Sequence, residues 1–429
     1  MNRKRHIFLV LALLLIFIPI SWFLFSRIIE SSAERYANPL EKNLKAEWYR
    51  EAFTLIRTRY TRVKIAIVYH EKWQNDDGSW SDLRIDSSPE ALQAYREGIS
   101  SSYFIGKEGL VVSDGVIIPP ENGCYVGVFP GWGEYEDSID SNVLIDFERL
   151  SGKSVAFTPF SIFWGQNYVS RDNLDEISSY GAIPLLRLMP WGEPYWESGY
   201  QPEYSLQKII DGEFDTFLSS WADVVREYGK PVMVTFACEM NGDWFPWSGV
   251  FQGGGKTRGY GDPQKPDGPE RYVNAFRHIV TLFRNKGADN AIWYFQPNHI
   301  SYPDEDWNSI DAYYPGDNYV DWIGLSVYGA QTKNDEWITF EEAMEPAYNL
   351  LTSKFPGKPI MLCEWGVVEY EDTGGIFHSA VFSINFWSWP RILVYRWDGE
   401  DLSFRLDGEY KSSLLHWIIP SNTSTYLEA

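Results

Sequence analysis

From Cys124 onward, short apolar runs alternate with amphipathic stretches, and this rhythm restricts the folds open to the chain more than any other feature. The runs are Cys124–Phe129, Val155–Phe160, Ile183–Leu188, Val232–Ala237, Ala291–Phe295, Trp322–Val327, Ile360–Cys363 and Ile392–Tyr395. Each is apolar almost throughout and bounded by turn residues, the pattern of a strand buried on both faces. Helical periodicity fills the intervals, most clearly at Ser141–Leu150, Asp172–Tyr180, Glu213–Glu227, Pro269–Arg284 and Thr339–Phe355. Eight strands alternating with helices over about 300 residues predict an α/β fold, a closed (β/α)8 barrel. A doubly wound sheet is the competing architecture, but no Gly-x-Gly-x-x-Gly follows the first run.

Two of these runs have an unusual ending. Pro231-Val-Met-Val-Thr-Phe-Ala-Cys238-Glu239 and Pro359-Ile-Met-Leu-Cys363-Glu364 each follow Gly-Lys and each finish on a glutamate. A carboxylate at the end of a buried strand is costly unless it faces a polar site or a water-filled mouth. In a parallel barrel the C-terminal strand ends surround the active site. By this count Glu239 ends the fourth strand and Glu364 the seventh, so the pair can reach across one narrow mouth. Two such carboxylates suit glycosidic cleavage, one protonating the leaving oxygen and the other attacking the anomeric carbon. Trp244, Trp247 and Trp365 follow them closely in sequence, and apolar surroundings raise the pKa of an acid.

Composition narrows the substrate. The 429 residues carry a formal charge of −22, which repels phosphate and argues against nucleic acid or anionic ligands. Aromatics make up 17% of the chain, including 20 Trp, an excess that fits stacking on sugar rings. Cys124, Cys238 and Cys363 have neither disulfide nor metal spacing and read as small buried side chains.

Before the regular pattern lie about 120 residues of a different kind. A basic start, Met1-Asn-Arg-Lys-Arg-His6, precedes an apolar run over Ile7–Phe25, close to the ~20 residues that cross a bilayer. The expectation for 1–26 is an uncleaved signal anchor with the remainder outside the membrane, a cleaved signal peptide and secretion being the alternative. Residues 27–120 read as a stalk and small α/β extension. Leu44–Tyr60 is the stalk helix, Val63–Tyr69 a strand, Ser88-Pro89-Glu90 a capped helix start, and Leu110–Val112 with Val116–Ile118 a hairpin. No chemistry is legible there. The barrel is then expected over 121–420, with 421–429 as a tail.

The run Cys238-Glu239-Met240-Asn241-Gly242-Asp243-Trp244-Phe245-Pro246-Trp247 resembles the acid/base motif of glycoside hydrolase family 26, best known for β-mannanases. Tyr314–Gly324 with the following Tyr328, Lys358–Gly366, Gly181–Leu185 and Trp191-Gly192 resemble further stretches of that family, and the likeness covers about Cys124 to Ile419. The resemblance implies a retaining (β/α)8 glycosidase with Glu239 as acid/base and Glu364 as nucleophile. It makes Trp244 a subsite platform, Tyr328 a donor to the nucleophile, and Trp397 the floor beside the cleavage point. Asn241 is expected either to brace the acid/base loop or to cap a turn. Trp191, Trp247 and Cys238 complete the substrate-binding candidates, and the loops Trp191–Tyr204 and Gly249–Pro269 are expected to shape the cleft. Where the family usually carries His before its acid/base, this chain has Cys238, and a thiol is a poor hydrogen-bonding substitute.

The implied activity is endo-hydrolysis of a neutral β-glycan by a monomer needing no metal or organic cofactor. β-1,4-Mannan or glucomannan comes first, mixed-linkage β-1,3/1,4-glucan second and β-1,3-xylan third. A non-catalytic cell-surface carbohydrate-binding barrel is the rival, kept open by Cys238. Other motifs read as background. Gly253-Gly-Gly-Lys-Thr257 lacks the first glycine of a phosphate loop and a helix after it. His278 has no partner at metal-ligand spacing, and Asn298-His299 is a possible cleft lining.

Overall fold

The computed structural model describes residues 43–75, 77–196, 199–332 and 334–369, together with the backbone of three later strands, Ala380–Phe386, Trp389–Trp397 and Leu402–Leu406. Eight parallel strands form a closed ring. They are β1 (Val63–Tyr69), β2 (Cys124–Phe129), β3 (Phe157–Phe163), β4 (Ile183–Met189), β5 (Val232–Phe236), β6 (Ala291–Phe295), β7 (Trp322–Tyr328) and β8 (Ile360–Gly366). Each pairs with its sequence neighbours, and β1 pairs with both β2 and β8, which closes the barrel. A two-residue strand, Phe104–Ile105, adds to β2.

The barrel is as expected, but its first strand is not. Closure comes from Val63–Tyr69, which the sequence placed in an extension, and not from Ile392–Tyr395. The latter segment belongs to Trp389–Trp397, the middle strand of an antiparallel sheet with Ala380–Phe386 and Leu402–Leu406. Residues 43–370 make one compact unit, so no domain boundary falls at 120, and the antiparallel sheet lies in a second. The strands bearing Glu239 and Glu364 are thus β5 and β8. Their separation of three strands is as read; only the origin of the count moves. The apolar run over Ile7–Phe25 lies outside the described residues, among which no helix is long and apolar enough to cross a membrane.

A helix precedes β1. This is α1 (Leu44–Thr58), whose N-cap Asn43 accepts a hydrogen bond from the Ala46 N–H. The next, α2 (Pro89–Ile99), has the capping Ser88 and first-turn proline that the sequence announced. A later one, α3 (Phe340–Lys354), lies between β7 and β8 and starts with a Thr339/Glu342 capping box. The Phe340 N–H of α3 donates to Glu51 of α1 at 2.7 Å. The Trp48 ring of α1 stacks on Trp365 of β8 at 5.7 Å, while Tyr49 and Phe53 meet Trp365 edge-on. The predicted stalk is therefore part of the helical coat: α1 covers β8, the strand that no later helix of this unit follows.

Side chains alternate across each strand, so every second one points into the barrel. Ile65, Ile67, Tyr125, Phe157, Ile183, Leu185, Met233, Ile292, Tyr294, Trp322, Met361 and Cys363 form an apolar interior cluster, separate from the layer between strands and helices. Continuing the same alternation toward the C-terminal ends reaches Tyr69, Ser161, Arg187, Gln296, Ser326 and Tyr328. The inward positions turn polar there, at the end of the barrel where active sites form.

Glu364 joins this layer through a break in register. Leu325 pairs with Leu362, but Ser326 pairs with Glu364; on the other side Ala66 pairs with Leu362 and Val68 with Trp365. Both neighbours thus count one extra residue in β8, a β-bulge around Cys363. Met361 and Cys363 face the interior, so strict alternation would turn Trp365 inward and Glu364 outward. The bulge reverses them. Gly324 allows it, since a Cβ there would lie 2.3 Å from the Cys363 Sγ.

Candidate active site

Glu239 sits just past β5 on a tightly held turn. Ala237 and Glu239 both adopt positive φ, 50° and 55°, which is costly for residues with a side chain and persists only where the surroundings enforce it. Here the backbone is tied at each step. The Ala237 N–H donates to Leu188 O, the Glu239 N–H to Gln296 O at 2.7 Å, and the Gly242 N–H to Glu239 O. The Trp247 indole donates to Cys238 O at 2.7 Å. Asn241 is fully buried and clamps the loop after β6, donating to Asn298 O and accepting from the Asn298 N–H. Of its two expected roles, the structure displays the loop brace.

The Glu239 carboxyl receives the Trp244 indole N–H on Oε2 at 2.8 Å. Burial, and next the charge of Glu364, push its pKa up to about 7, although the hydrogen bonds from Ser326 and Trp244 oppose this. It is 8% exposed, as is Glu364, so neither is sealed from solvent.

Glu364 is held from three sides. Arg187 Nη1 and Gln296 Nε2 donate to Oε1, the latter at 3.1 Å, and the Tyr328 hydroxyl donates to Oε2 at 2.7 Å. Arg187 is itself buried, and its Nη2 donates to Glu136 Oε2 at 2.6 Å. Burial works against the guanidinium charge, but Glu136 and Glu364 outweigh it and hold its pKa well above the usual value. Ser161 donates to the same oxygen of Glu136. Charges this deep are tolerated only when paired and hydrogen-bonded, and the Glu136–Arg187–Glu364 chain satisfies both conditions.

Gln296 ties the two glutamates together. Its carbonyl accepts from the Glu239 N–H, and its side chain donates to Glu364 and to Ser326 Oγ. One residue just past β6 thereby ties the Glu239 backbone to the Glu364 carboxyl.

The sequence candidates divide. Glu239, Glu364, Trp244 and Tyr328 come together at the mouth. Trp244 is half-buried and meets the exposed Tyr302 ring at 5.9 Å. Trp191 and Trp247 are fully buried, 5.3 Å apart, and pack with Phe245 beneath the loops, so they support the cleft without lining it. Trp365 points outward to α1 and does not crowd either glutamate, as the bulge requires. Cys238 is buried with its Sγ 3.7 Å from Met189 Sδ. The Trp397 side chain lies outside the described residues. His299 is buried, with Nδ1 facing the Ser326 carbonyl at 3.2 Å, and burial lowers its pKa to about 4. His278 pairs with Asp215 at 2.6 Å.

Arg187, Glu136, Gln296, Ser161 and Ser326 were not singled out from the sequence. Arg187 did leave a signal: it is the one charge in Ile183–Met189, on the inward parity of a fully buried strand. Glu136 left none, because it comes from an irregular loop at positive φ.

The chain matches the family model of Glycosyl hydrolase family 26 over residues 201–348, a stretch that contains Glu239, Trp244 and Tyr328 and stops before Glu364. The likeness is to glycosyl hydrolase family 26, over about a third of the chain. It is 26% identical over 284 residues to Endoglucanase H of Acetivibrio thermocellus, covering 65% of this chain and 28% of that protein. It is 24% identical to Beta-1,3-xylanase TXYA of a Vibrio species, covering 60% and 47%. It is 26% identical to Mannan endo-1,4-beta-mannosidase of Bacillus subtilis, covering 48% and 59%. The chain thus spans less than two thirds of the length of each of these relatives.

Proposed function

We propose that this chain is a retaining endo-β-glycanase in which Glu239 is the acid/base and Glu364 the nucleophile. The observation that carries this reading is the contrast between two carboxyls in one mouth. Glu239 has its pKa raised to about 7 and only neutral donors around it, so it can keep a proton for the leaving oxygen. Glu364 has three donors fixing both of its oxygens, including a guanidinium, so it is aimed and held for attack on carbon. Proton transfer from Glu239 and attack by Glu364 give a glycosyl-enzyme. Glu239, now ionised, then takes a proton from water, which hydrolyses the intermediate with net retention. Tyr328 and Arg187 position Glu364 through both steps, and Trp244 offers a platform beside Glu239.

The substrate class follows from chemistry and kinship. A strongly acidic chain with aromatic cleft walls suits a neutral polysaccharide. The relatives' names cover an endoglucanase, a β-1,3-xylanase and β-1,4-mannanases. β-1,4-Mannan or glucomannan leads on the motif around Glu239. Mixed-linkage β-glucan is the second reading, favoured by Cys238, whose buried thiol replaces the family's usual imidazole. The apolar run Ile7–Phe25 supports action outside the cytoplasm, on a membrane anchor or secreted.

The test is product release by the full-length protein from mannan, glucomannan, mixed-linkage glucan and β-1,3-xylan, with the first-formed anomer read by NMR. Retention with loss of turnover in Glu364→Ala is expected. Turnover that survives Glu364→Ala rejects the nucleophile, and inverted product rejects the mechanism. Binding of a glycan without turnover of any favours the non-catalytic reading.

A further inference from the structure

The strand that closes the barrel is the part of the chain from which no chemistry was legible, yet its C-terminal end enters the mouth. β1 lies beside β8 and four strands from β5, so in an eight-stranded ring it stands across the opening from Glu239. Tyr69, at the end of β1, is half-buried. Its ring stacks on Phe129 at 4.7 Å and meets Tyr328 edge-on at 6.0 Å, and Tyr328 is a donor to Glu364. The Tyr69 hydroxyl donates to Glu71 Oε2 at 3.0 Å.

Glu71 is partly exposed at this rim and, among the described residues, has no cation paired with it. Among the described residues its one side-chain hydrogen-bond donor is a neutral phenol, and it feels the charges of Glu136, Arg187 and Glu364. The fold makes room for it. Gly131, at φ 77°, lies against the Glu71 side chain, and a Cβ at 131 would come within 3.2 Å of Oε1. The segment beyond is fixed, because the Glu71 carbonyl accepts from the Leu83 N–H and the buried Lys45 Nζ donates to Asp82 O and Arg84 O. Trp73, two residues on, turns its edge to Tyr69 at 6.1 Å.

A rigidly placed carboxyl beside partly exposed aromatic faces, on the edge of a mouth with a nucleophilic carboxylate at its floor, is a sugar-binding arrangement. The acid/base side of the mouth receives the leaving group. The opposite side, where β1 stands, therefore faces the sugar that becomes bonded to the enzyme and those preceding it.

We propose that Tyr69 and Glu71 form a glycone-side subsite, with Glu71 accepting hydrogen bonds from sugar hydroxyls and the Tyr69 ring backing the pyranose. This rests on the glycanase reading above and adds that substrate preference is set partly by the N-terminal strand, outside the stretch that matches the family model. A carboxyl that can be neutral or ionised near pH 7 also makes hydroxyl recognition depend on pH: burial, then Glu136, raise the Glu71 pKa to about 7.

The test compares Glu71→Gln, Glu71→Ala and Tyr69→Phe with the parent, in the full-length protein. Kinetics are measured on manno-, mixed-linkage gluco- and β-1,3-xylo-oligosaccharides of increasing length, and bond-cleavage patterns are recorded. Binding of the same sugars is measured in a Glu364→Ala background. Glu71→Ala should lower kcat/KM by about 10- to 100-fold, the range for losing hydrogen bonds to a charged group. It should move the cleaved bond within an oligosaccharide and weaken sugar binding, with an unchanged melting temperature. Glu71→Gln should lie between. A merely structural Glu71 would alter the melting temperature without moving the cleavage pattern. If the parent cleaves glycans and folded Glu71→Ala matches it within twofold, in rate, pattern and binding, the subsite is refuted while the glycanase stands. If the parent cleaves nothing, the glycanase reading falls, and binding alone decides the subsite. If the parent cleaves nothing and the Glu364→Ala background binds none of these sugars, both are refuted.

Discussion

The indole N–H of Trp244 donates to Oε2 of Glu239 at 2.8 Å, across five residues of one turn. The bond is available to the carboxyl in both protonation states, so Trp244 can follow Glu239 through the proposed catalytic cycle. Trp244→Phe keeps a ring but removes the donor. We expect a loss of about 10- to 30-fold in kcat with the pH profile displaced upward, measured on whichever glycan the parent cleaves.

The raised pKa of Glu239 has two consequences of fixed sign. In the proposed role of general acid it acts protonated, so kcat/KM should fall as pH rises through about 7. In the unfolded chain the same group titrates near 4.5, so the folded state binds the proton more tightly. Stability from this group is full below about 4.5, is lost between there and 7, and stays lost above. Glu239→Gln should therefore be inactive yet more stable than the parent at pH 8, by on the order of 1–3 kcal/mol, with no advantage at pH 4. Thermal unfolding at the two pH values measures it.

Tyr328→Phe removes one of the three donors to Glu364 without opening a cavity. We expect a folded protein with kcat lowered by about 10- to 100-fold and KM little changed. A drop confined to KM would mean that Tyr328 serves binding and not the orientation of Glu364.

Arg187 neutralises a buried charge on either side. Arg187→Met strands Glu136 and Glu364 and should cost about 3–5 kcal/mol. Adding Glu136→Gln to that variant removes one stranded charge and should recover a substantial part of the loss. A double-mutant cycle by chemical denaturation reads the coupling, and additive losses would contradict the pairing.

Gly324 and Cys363 provide a test of the bulge. A methyl at 324 cannot coexist with the Cys363 Sγ at 2.3 Å. Gly324→Ala should lose activity because Glu364 is re-aimed, and Gly324→Ala with Cys363→Ala should regain it. Activity retained in the single variant would show that the register of β8 does not govern the aim of Glu364.

What the sequence displayed and what it concealed have separate causes. The two glutamates were legible because a charge at the end of an apolar run is conspicuous, and the barrel because its strands are buried on both faces and recur. Val63–Tyr69 was recognised as a strand but not as a barrel strand: β-periodicity is local, whereas its pairing with Ile360–Gly366 spans the whole unit. A later apolar segment, Ile392–Tyr395, fitted the count equally well. The orientation of Trp365 was concealed because a bulge reverses the parity on which inward and outward are judged. Trp247 and Trp191 were credited to the cleft for their residue type, and only packing distinguishes a ring that lines a surface from one that supports it. Glu136 could not be found, since no periodicity governs a loop.

The pairing of Val63 with Ile360 also bears on how the molecule is made. During synthesis β1 leaves the ribosome roughly 300 residues ahead of its partner, and at about 5–20 residues per second it waits many seconds with one edge unpaired. Until β8 arrives, Trp48, Tyr49 and Phe53 of α1 have no Trp365 to pack on, and the nascent chain presents that apolar face and an open strand edge to whatever is nearby. A barrel whose first strand closes on its eighth is committed late, only after most of the chain has been translated.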